Sequence, residues 1–141
     1  MVAYIDSSVL LRIALRQPQA LREWRAIEKG VASALIVTEC LRSLDRFRLR
    51  AQLTAAEVAL GRGTLLSLMD ALEIVELDST VLDRAAQPMP VELGTLDAIH
   101  LATALLWKQS TSAELVMATH DVALGLAAQA HGLPVVGVPR A

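Results

Sequence analysis

Five short apolar runs alternate along this chain with longer segments in which apolar residues recur at helical spacing. The runs are Val2–Ile5, Val31–Leu35, Leu72–Leu77, Glu114–Ala118 and Pro134–Val138. A strand followed by a helix and a parallel strand forms a right-handed crossover that lays the helix on the sheet. The alternation therefore predicts an α/β fold, a three-layer α/β/α sandwich around a mostly parallel five-stranded sheet.

The helical segments lie between these runs. They are Ser8–Leu15, Gln19–Lys29, Thr38–Arg50, Ala55–Met69, Ser79–Gln87, Thr95–Lys108 and Val122–His131. Gly30, Gly94 and Gly132 stand where helices are expected to stop or loops to turn. The sequence shows no repeat, low-complexity tract or linker, so residues 1–141 are expected to form a single domain.

Composition narrows the class of protein. Hydrophobic residues make up 54% of the chain and aromatic residues only 3%, which suits helices packed on a sheet. The formal net charge of −2 provides no general attraction for nucleic acid, so such binding would need a local patch. A single cysteine excludes an internal disulfide. With neither a signal peptide nor a membrane-length apolar stretch, the sequence predicts a soluble cytoplasmic protein without membrane contact.

The first apolar run ends abruptly at a charged residue. Asp6 directly follows Val2–Ile5, and Ser7 and Ser8 come next, before an apolar pattern of helical spacing resumes. Taken alone, this pattern indicates an N-cap, in which Asp6 or a serine accepts hydrogen bonds from the first amides of a helix.

Three more acids are expected at the same edge of the sheet, where proteins of this architecture bind ligands. Glu39 is predicted to open the helix after the second strand, and Asp121 follows the fourth strand. Asp97 lies in the first turn of the helix before that fourth strand. Each acid alone fits a cap or an exposed position. Together with Asp6, they would repel one another unless a cation neutralised them.

The donor set indicates which cation to expect. Oxygen ligands without a His/Cys cluster select Mg²⁺ or Mn²⁺ over Zn²⁺. Ions held by carboxylates can activate a water and stabilise an in-line displacement at phosphorus. Without such an ion, at least one of the four carboxylates is expected to bind a proton more readily than a free side chain.

Motifs distributed over nearly the whole chain resemble those of PIN-domain proteins, and chain size and motifs are most similar to VapC-type toxin ribonucleases. The matching stretches, in the family's order, are YIDSSVLL, the pair Thr38-Glu39, LDAIHLATAL, ATHD and GLPVVGV. The resemblance implies a PIN-like fold and a metal-dependent endoribonuclease that uses Mg²⁺ or Mn²⁺. It further implies an RNA substrate, a small cognate antitoxin that blocks the site, and homodimerisation of the toxin.

The resemblance also implies roles for individual residues. The acidic metal-binding quartet would be Asp6, Glu39, Asp97 and Asp121, and the supporting hydroxyl residues would be Ser8 and Thr119. In this interpretation Asp6 ends its strand at the metal. Ser7 and Ser8 then begin the next helix, while one hydroxyl orients the carboxylate.

The helix predicted over Thr38–Arg50 carries a basic stripe. At about 100° per residue, one face of the helix is shared by Glu39, Arg42, Arg46 and Arg50. These arginines could hold the phosphates of an RNA substrate. They could equally form a solvated face near Asp45 or meet an acidic partner, and the sequence leaves the alternatives open.

His100 follows Asp97 by three residues, on a neighbouring face of the same predicted helix. The resemblance does not make it a metal ligand. We therefore expect His100 to be a hydrogen-bonded structural histidine.

Other functions stay open at this point. A phosphoacceptor receiver domain would place its acceptor at Asp78, but it needs an acidic pair after the first strand and a lysine after the fifth. The chain has Asp6-Ser7 and Gly137-Val138-Pro139-Arg140 there. A haloacid-dehalogenase-like phosphatase needs an aspartate where Ser8 stands. A PIN-like RNA- or protein-binding module without catalysis is the remaining alternative.

Overall fold

Five parallel strands form the centre of the computed structural model, which describes residues 1–139. The strands are β1 (Val2–Ile5), β2 (Lys29–Ser33), β3 (Glu73–Val75), β4 (Val116–Ala118) and β5 (Val135–Val136). They pair in the order β3-β2-β1-β4-β5, and each neighbouring pair is parallel. The predicted five-stranded, mostly parallel sheet is confirmed.

Six α-helices in the described part of the chain, residues 1–139, cover the two faces of this sheet. They are α1 (Ser7–Ala14), α2 (Leu35–Leu49), α3 (Ala55–Asp70), α4 (Ser79–Ala85), α5 (Thr95–Thr111) and α6 (Val122–Ala130). Helices α1, α2 and α3 pack on one face, α5 and α6 pack on the other, and α4 lies against α5. The predicted α/β/α layering is therefore confirmed. Within residues 1–139, none of these helices has the length and apolar character required to cross a membrane.

The central strand β1 contributes to both cores. Successive side chains of a strand point to opposite faces. Ala3 and Ile5 accordingly lie in the core beneath α1, α2 and α3, and Tyr4 lies in the core beneath α5 and α6. All three side chains are fully buried. Because β1 is covered on both faces, its sequence is apolar throughout rather than alternating.

The helix predicted over Gln19–Lys29 is wrong. A short 3₁₀ turn at Arg22–Ala26 is the helical structure in this segment, and Lys29 already begins β2, where it pairs with Val2 of β1. The amide of Glu28 donates to the carbonyl of Met1 at 2.8 Å. Strand pairing with β1 therefore outweighs the local helical pattern, as tertiary contacts often do.

The end of β2 and the start of α2 also differ from the prediction. Strand β2 ends at Ser33 rather than at Leu35, and α2 begins at Leu35 rather than at Thr38. The Ser33 hydroxyl accepts a hydrogen bond from the Leu35 amide at 3.1 Å, which supports this early helix start. Glu39 consequently lies in the second turn of α2 and does not open the helix.

Gly30 lies inside β2 and does not stop a helix. A Cβ at this position would come within 2.5 Å of Leu72 Cδ2 and 3.2 Å of Ile5 Cγ1. The glycine therefore permits close packing of these two side chains against the strand.

Gly137 provides a test of the packing beside β4. Its φ is +100°, and a Cβ there would lie 2.4 Å from the Thr119 carbonyl oxygen. Gly132 has a φ of +82°, but a Cβ added there would meet no other atom within 4 Å. We expect Gly132→Ala to lower the free energy of unfolding by about 1–2 kcal/mol from backbone strain alone. Gly137→Ala should cost at least about 1 kcal/mol more because the carbonyl must move.

Urea unfolding of the two variants and the native protein measures both losses. Equal destabilisation in the two variants would show that the approach of Gly137 to Thr119 does not constrain the fold.

Candidate functional site

Asp6 is a buried carboxylate at the carboxyl end of the central strand. Its residue is 4% exposed, and it is the N-cap of α1. One oxygen, Oδ1, accepts a hydrogen bond from the Ser7 amide at 2.8 Å. The other oxygen, Oδ2, accepts from Ser8 Oγ at 2.7 Å and from Thr119 Oγ1 at 2.8 Å. The capping interpretation and the site interpretation of Asp6 are thus compatible.

The two hydroxyls are oriented by backbone amides. Ser8 Oγ accepts from the His120 amide at 3.0 Å, and Thr119 Oγ1 accepts from the Asp121 amide at 3.0 Å. Because an amide can only donate, both hydroxyl protons are free to point at Asp6. Ser8 and Thr119 therefore hold the Asp6 carboxylate in one orientation.

Asp121 and Asp97 lie at the starts of two helices that border the same edge. Asp121 is the exposed N-cap of α6, and its Oδ1 accepts from the Leu124 amide at 2.8 Å. Asp97 lies in the first turn of α5 and is half-buried. Both residues therefore stand in the first turn or at the cap of a helix, close to its unpaired N-terminal amides.

The pKa of Asp97 shows that the four acids act on one another. Burial, followed by the negative charges of Asp121, Asp6 and Glu39, raises the pKa of Asp97 to about 6, although His100 acts in the opposite direction. This carboxyl binds a proton more readily than a free side chain does, as expected for the cluster without a cation.

Glu39 reaches this cluster from α2 through His100. Its side chain is 19% exposed, and its Oε1 is hydrogen-bonded to Nε2 of the fully buried His100. The same Nε2 lies 3.9 Å from Asp6 Oδ1, and His100 Nδ1 lies 2.6 Å from the Tyr4 hydroxyl oxygen. Burial lowers the pKa of His100, but the hydrogen bond to Glu39 and the nearby carboxylates outweigh it, so this pKa is raised.

The side chains of the described part of the chain do not form a closed metal cage. Within residues 1–139, no three His, Cys, Asp or Glu side chains are gathered closely enough to hold one ion. The chemistry of the acids nevertheless fits a hard cation, because they offer carboxylate oxygens, and because burial and then the charges of the other acids raise the pKa of Asp97.

The basic stripe lies on the exposed face of α2. Arg42 forms an ion pair with Asp45, with 3.1 Å between Nη1 and Oδ2, and Arg46 Nη2 donates to Ser43 Oγ at 3.0 Å. Arg50 is the exposed C-cap of the helix. These contacts are local, so the three guanidinium groups are accessible to a ligand.

The prediction that His100 is a hydrogen-bonded histidine is confirmed, but the sequence does not reveal its partners. Tyr4 and Glu39 are 96 and 61 residues away from His100 along the chain. One signal is available, because His100 follows Asp97 by nearly one helical turn and therefore lies close to it on α5.

Together, the fold and the site define an α/β protein with a parallel sheet and a cluster of carboxylates at the carboxyl edge of that sheet. The PIN domain model matches residues 3–128 of the chain. This protein belongs to the PIN domain family.

Two relatives are similar to the chain in sequence, and one solved structure is similar to it in fold. It is 39% identical over 104 residues to Ribonuclease VapC46 of Mycobacterium tuberculosis, covering 72% of each chain. It is 30% identical over 117 residues to Ribonuclease VapC47 of the same species, covering 78% of this chain and 79% of the relative. A toxin-antitoxin complex from Klebsiella pneumoniae has a similar fold, with a TM-score of 0.61, 19% identity and coverage of 99% and 97%.

Asp97 makes the stability of the metal-free protein depend on pH. Its pKa is 3.8 in the unfolded chain and about 6 in the folded protein. A carboxyl whose pKa is raised by folding costs stability once it ionises, so stability falls as pH rises from about 4 through about 6. Between pH 4 and pH 7.5 in EDTA, the native protein should lose about 1–2 kcal/mol relative to Asp97→Asn, less than the full shift implies because solvent screens the half-buried group. Urea unfolding at both pH values tests this, and a pH-independent difference would contradict it.

Proposed function

We propose that this protein is a metal-dependent endoribonuclease, the toxin of a VapBC-type toxin–antitoxin pair, that hydrolyses RNA phosphodiester bonds in the cytoplasm. The observation that carries the proposal is the Asp6 carboxylate. It is buried at the carboxyl end of β1 and held by three donors, and its charge helps to raise the pKa of Asp97. The 39% identity to a protein named a ribonuclease supports the activity.

The cation is proposed to be Mg²⁺ or Mn²⁺, held by carboxylates of Asp6, Glu39, Asp97 and Asp121. Such an ion, when bound, activates a water and neutralises charge that develops on the phosphate. Cation binding is favoured because it offsets the negative charges that add to burial in raising the pKa of Asp97.

The chain's own side chains supply orientation and proximity. Ser8 and Thr119 hold both the position and the rotation of the Asp6 carboxylate, so this group needs no rearrangement to receive a ligand. The helix N-termini at Asp6 and Asp121 point toward the same edge and favour bound anions such as a phosphate.

An antitoxin and a second copy of this chain are proposed as partners. A small cognate antitoxin is supported by the similar fold of a chain in a toxin-antitoxin complex. Exposed leucines on α3, Leu60 at 60% and Leu66 at 41%, supply apolar surface for homodimerisation or for the antitoxin.

The receiver-like alternative does not fit the fold. Asp78, the residue that would accept a phosphoryl group, is the N-cap of α4, and its Oδ1 accepts from the Val81 amide at 3.0 Å. The strand order β3-β2-β1-β4-β5 also differs from the 2-1-3-4-5 order of flavodoxin-like domains. A PIN-like module without catalysis is separated from the nuclease by the following assay.

Purified protein should cleave structured RNA in the presence of Mg²⁺ or Mn²⁺, and EDTA should stop the cleavage. Asp6→Asn and Asp97→Asn should each lower the rate constant by about 10²-fold or more, because each removes a charge that helps to hold the cation. Gel-based cleavage rates measure the effect. Asp70→Asn, on the exposed last turn of α3, is the matched control and should cleave at the native rate.

Cleavage that persists at the native rate in both site variants would assign the activity to a contaminant or another site. A native protein that binds RNA but never cleaves it with either ion would favour the binding module.

The basic stripe predicts a salt dependence. If Arg42, Arg46 and Arg50 contact phosphates, replacing all three with Gln should flatten the slope of log affinity against log salt by up to about three. The Arg42–Asp45 ion pair is exposed and worth at most about 1 kcal/mol, so it does not prevent exchange for a phosphate. Fluorescence anisotropy with the metal-inactive Asp6→Asn background measures binding without cleavage.

Arg62→Gln, on the exposed surface of α3, is the control and should leave the slope unchanged. A triple variant with the native slope would assign the stripe to solvent or to the antitoxin.

A further inference from the structure

His100 is a fully buried imidazole that joins three separate elements of the fold. It belongs to α5, its Nδ1 lies 2.6 Å from the hydroxyl of Tyr4 in β1, and its Nε2 contacts Glu39 of α2. A buried histidine needs partners for both nitrogens, and this one has them on opposite sides of the ring.

The proton positions in these hydrogen bonds follow from which groups can only donate and which can only accept. The amide of Ser33 donates to Tyr4 Oη at 3.2 Å. Since this amide can only donate, the Tyr4 hydroxyl accepts from it and keeps its own proton for another acceptor. The Glu39 carboxylate can only accept, so His100 Nε2 carries the proton in this contact and donates it to Oε1, which leaves Nδ1 of the neutral ring as an acceptor for the Tyr4 hydroxyl.

This arrangement does not depend on the charge of the ring. Nε2 carries a proton in the neutral tautomer that Tyr4 selects and also in the imidazolium form. The neutral tautomer protonated on Nδ1 is the one form that cannot donate to Glu39, and the Tyr4 hydroxyl disfavours it. Tyr4 therefore acts on Glu39 through His100.

We infer that His100 is a positioning residue that holds Glu39 by one carboxylate oxygen and leaves Oε2 available to a divalent cation. The inference rests on the proposed function, because it assumes that Glu39 contributes to the cation site. Glu39 is a long side chain with 19% exposure, and without an anchor its rotamers would have to be ordered when the cation binds. Nε2 also lies 3.9 Å from Asp6 Oδ1, so the same N–H group lies near both the Glu39 and the Asp6 carboxylates.

Two substitutions at position 100 separate the two contacts of the ring. The amide nitrogen of Gln lies close to where Nε2 lies in His, and the amide of Asn lies close to where Nδ1 lies. His100→Gln can therefore keep the donor to Glu39, whereas His100→Asn can keep only the contact to Tyr4. We expect His100→Asn to weaken Mn²⁺ binding by about 10–100-fold, the usual effect of losing a partner of a metal ligand. His100→Gln should restore the affinity to within a few-fold of native.

Tyr4→Phe tests whether Tyr4 acts on Glu39 through His100. It leaves Nδ1 without a donor, so Mn²⁺ affinity should fall although neither His100 nor any carboxylate is changed. Val31→Ala is the matched control, because Val31 is fully buried and pairs with Tyr4 across β1 and β2 but carries no polar group. It should lower the melting temperature without changing Mn²⁺ affinity.

Mn²⁺ titration followed by electron paramagnetic resonance, with melting curves of each metal-free variant, provides these affinities. Unchanged affinity in His100→Asn, or equal losses in the Asn and Gln variants, would overturn the positioning role while native binding upholds the cation site. A native protein that binds no Mn²⁺ would instead overturn the proposed function, and the role of His100 with it.

A second readout needs no metal. Nitrogen-15 NMR of the His100 ring in metal-free protein should show a protonated Nε2 in the native chain and a mixture of tautomers in Tyr4→Phe above the pKa of the ring. A native ring with an unprotonated Nε2 would overturn the inference.

Discussion

The burial of one carboxylate at the end of the central strand is the constraint on which the site depends. An ionised carboxyl group is costly to remove from water unless hydrogen bonds replace its hydration. Asp6 receives three such bonds, from Ser7 and Ser8 of α1 and from Thr119 beyond β4. The two serines are adjacent to Asp6 in the chain, whereas Thr119 reaches it because β1 and β4 pair with Ile5 opposite Ala118. The third hydrogen bond to Asp6 therefore depends on the register of the sheet.

The other acids are arranged at some cost to the fold. Asp97 is half-buried, and its pKa is raised because burial and the negative charges of the other three acids make its own charge unfavourable. Such a group does not stabilise the metal-free protein. Its placement makes physical sense where a cation is to be bound, and functional sites commonly sacrifice stability in this way. The chain belongs to the PIN domain family, and two of its relatives are named as ribonucleases.

Local patterns in the sequence predict several of the strand and helix starts correctly. The strand of Val2–Ile5 and the helices from Ala55, Ser79, Thr95 and Val122 start where the sequence indicates, since apolar periodicity and polar caps are encoded locally. The helix predicted for Gln19–Lys29 is wrong because its helical spacing yields to pairing between β2 and β1. The predicted position of Glu39 at a helix start is wrong for a related reason, namely that β2 ends two residues earlier than its apolar run.

The sequence by itself determined the layered α/β architecture, the positions of Asp6, Asp97 and Asp121 beside strand and helix ends, and the resemblance to PIN-domain proteins. These features depend on short-range periodicity and on motifs that can be read in order. The tertiary structure alone decided how the site is connected. Thr119 reaches Asp6 across 113 residues, and Glu39 reaches His100 across 61. Such contacts depend on strand order, register and the directions of buried side chains, which no local pattern in a single sequence specifies.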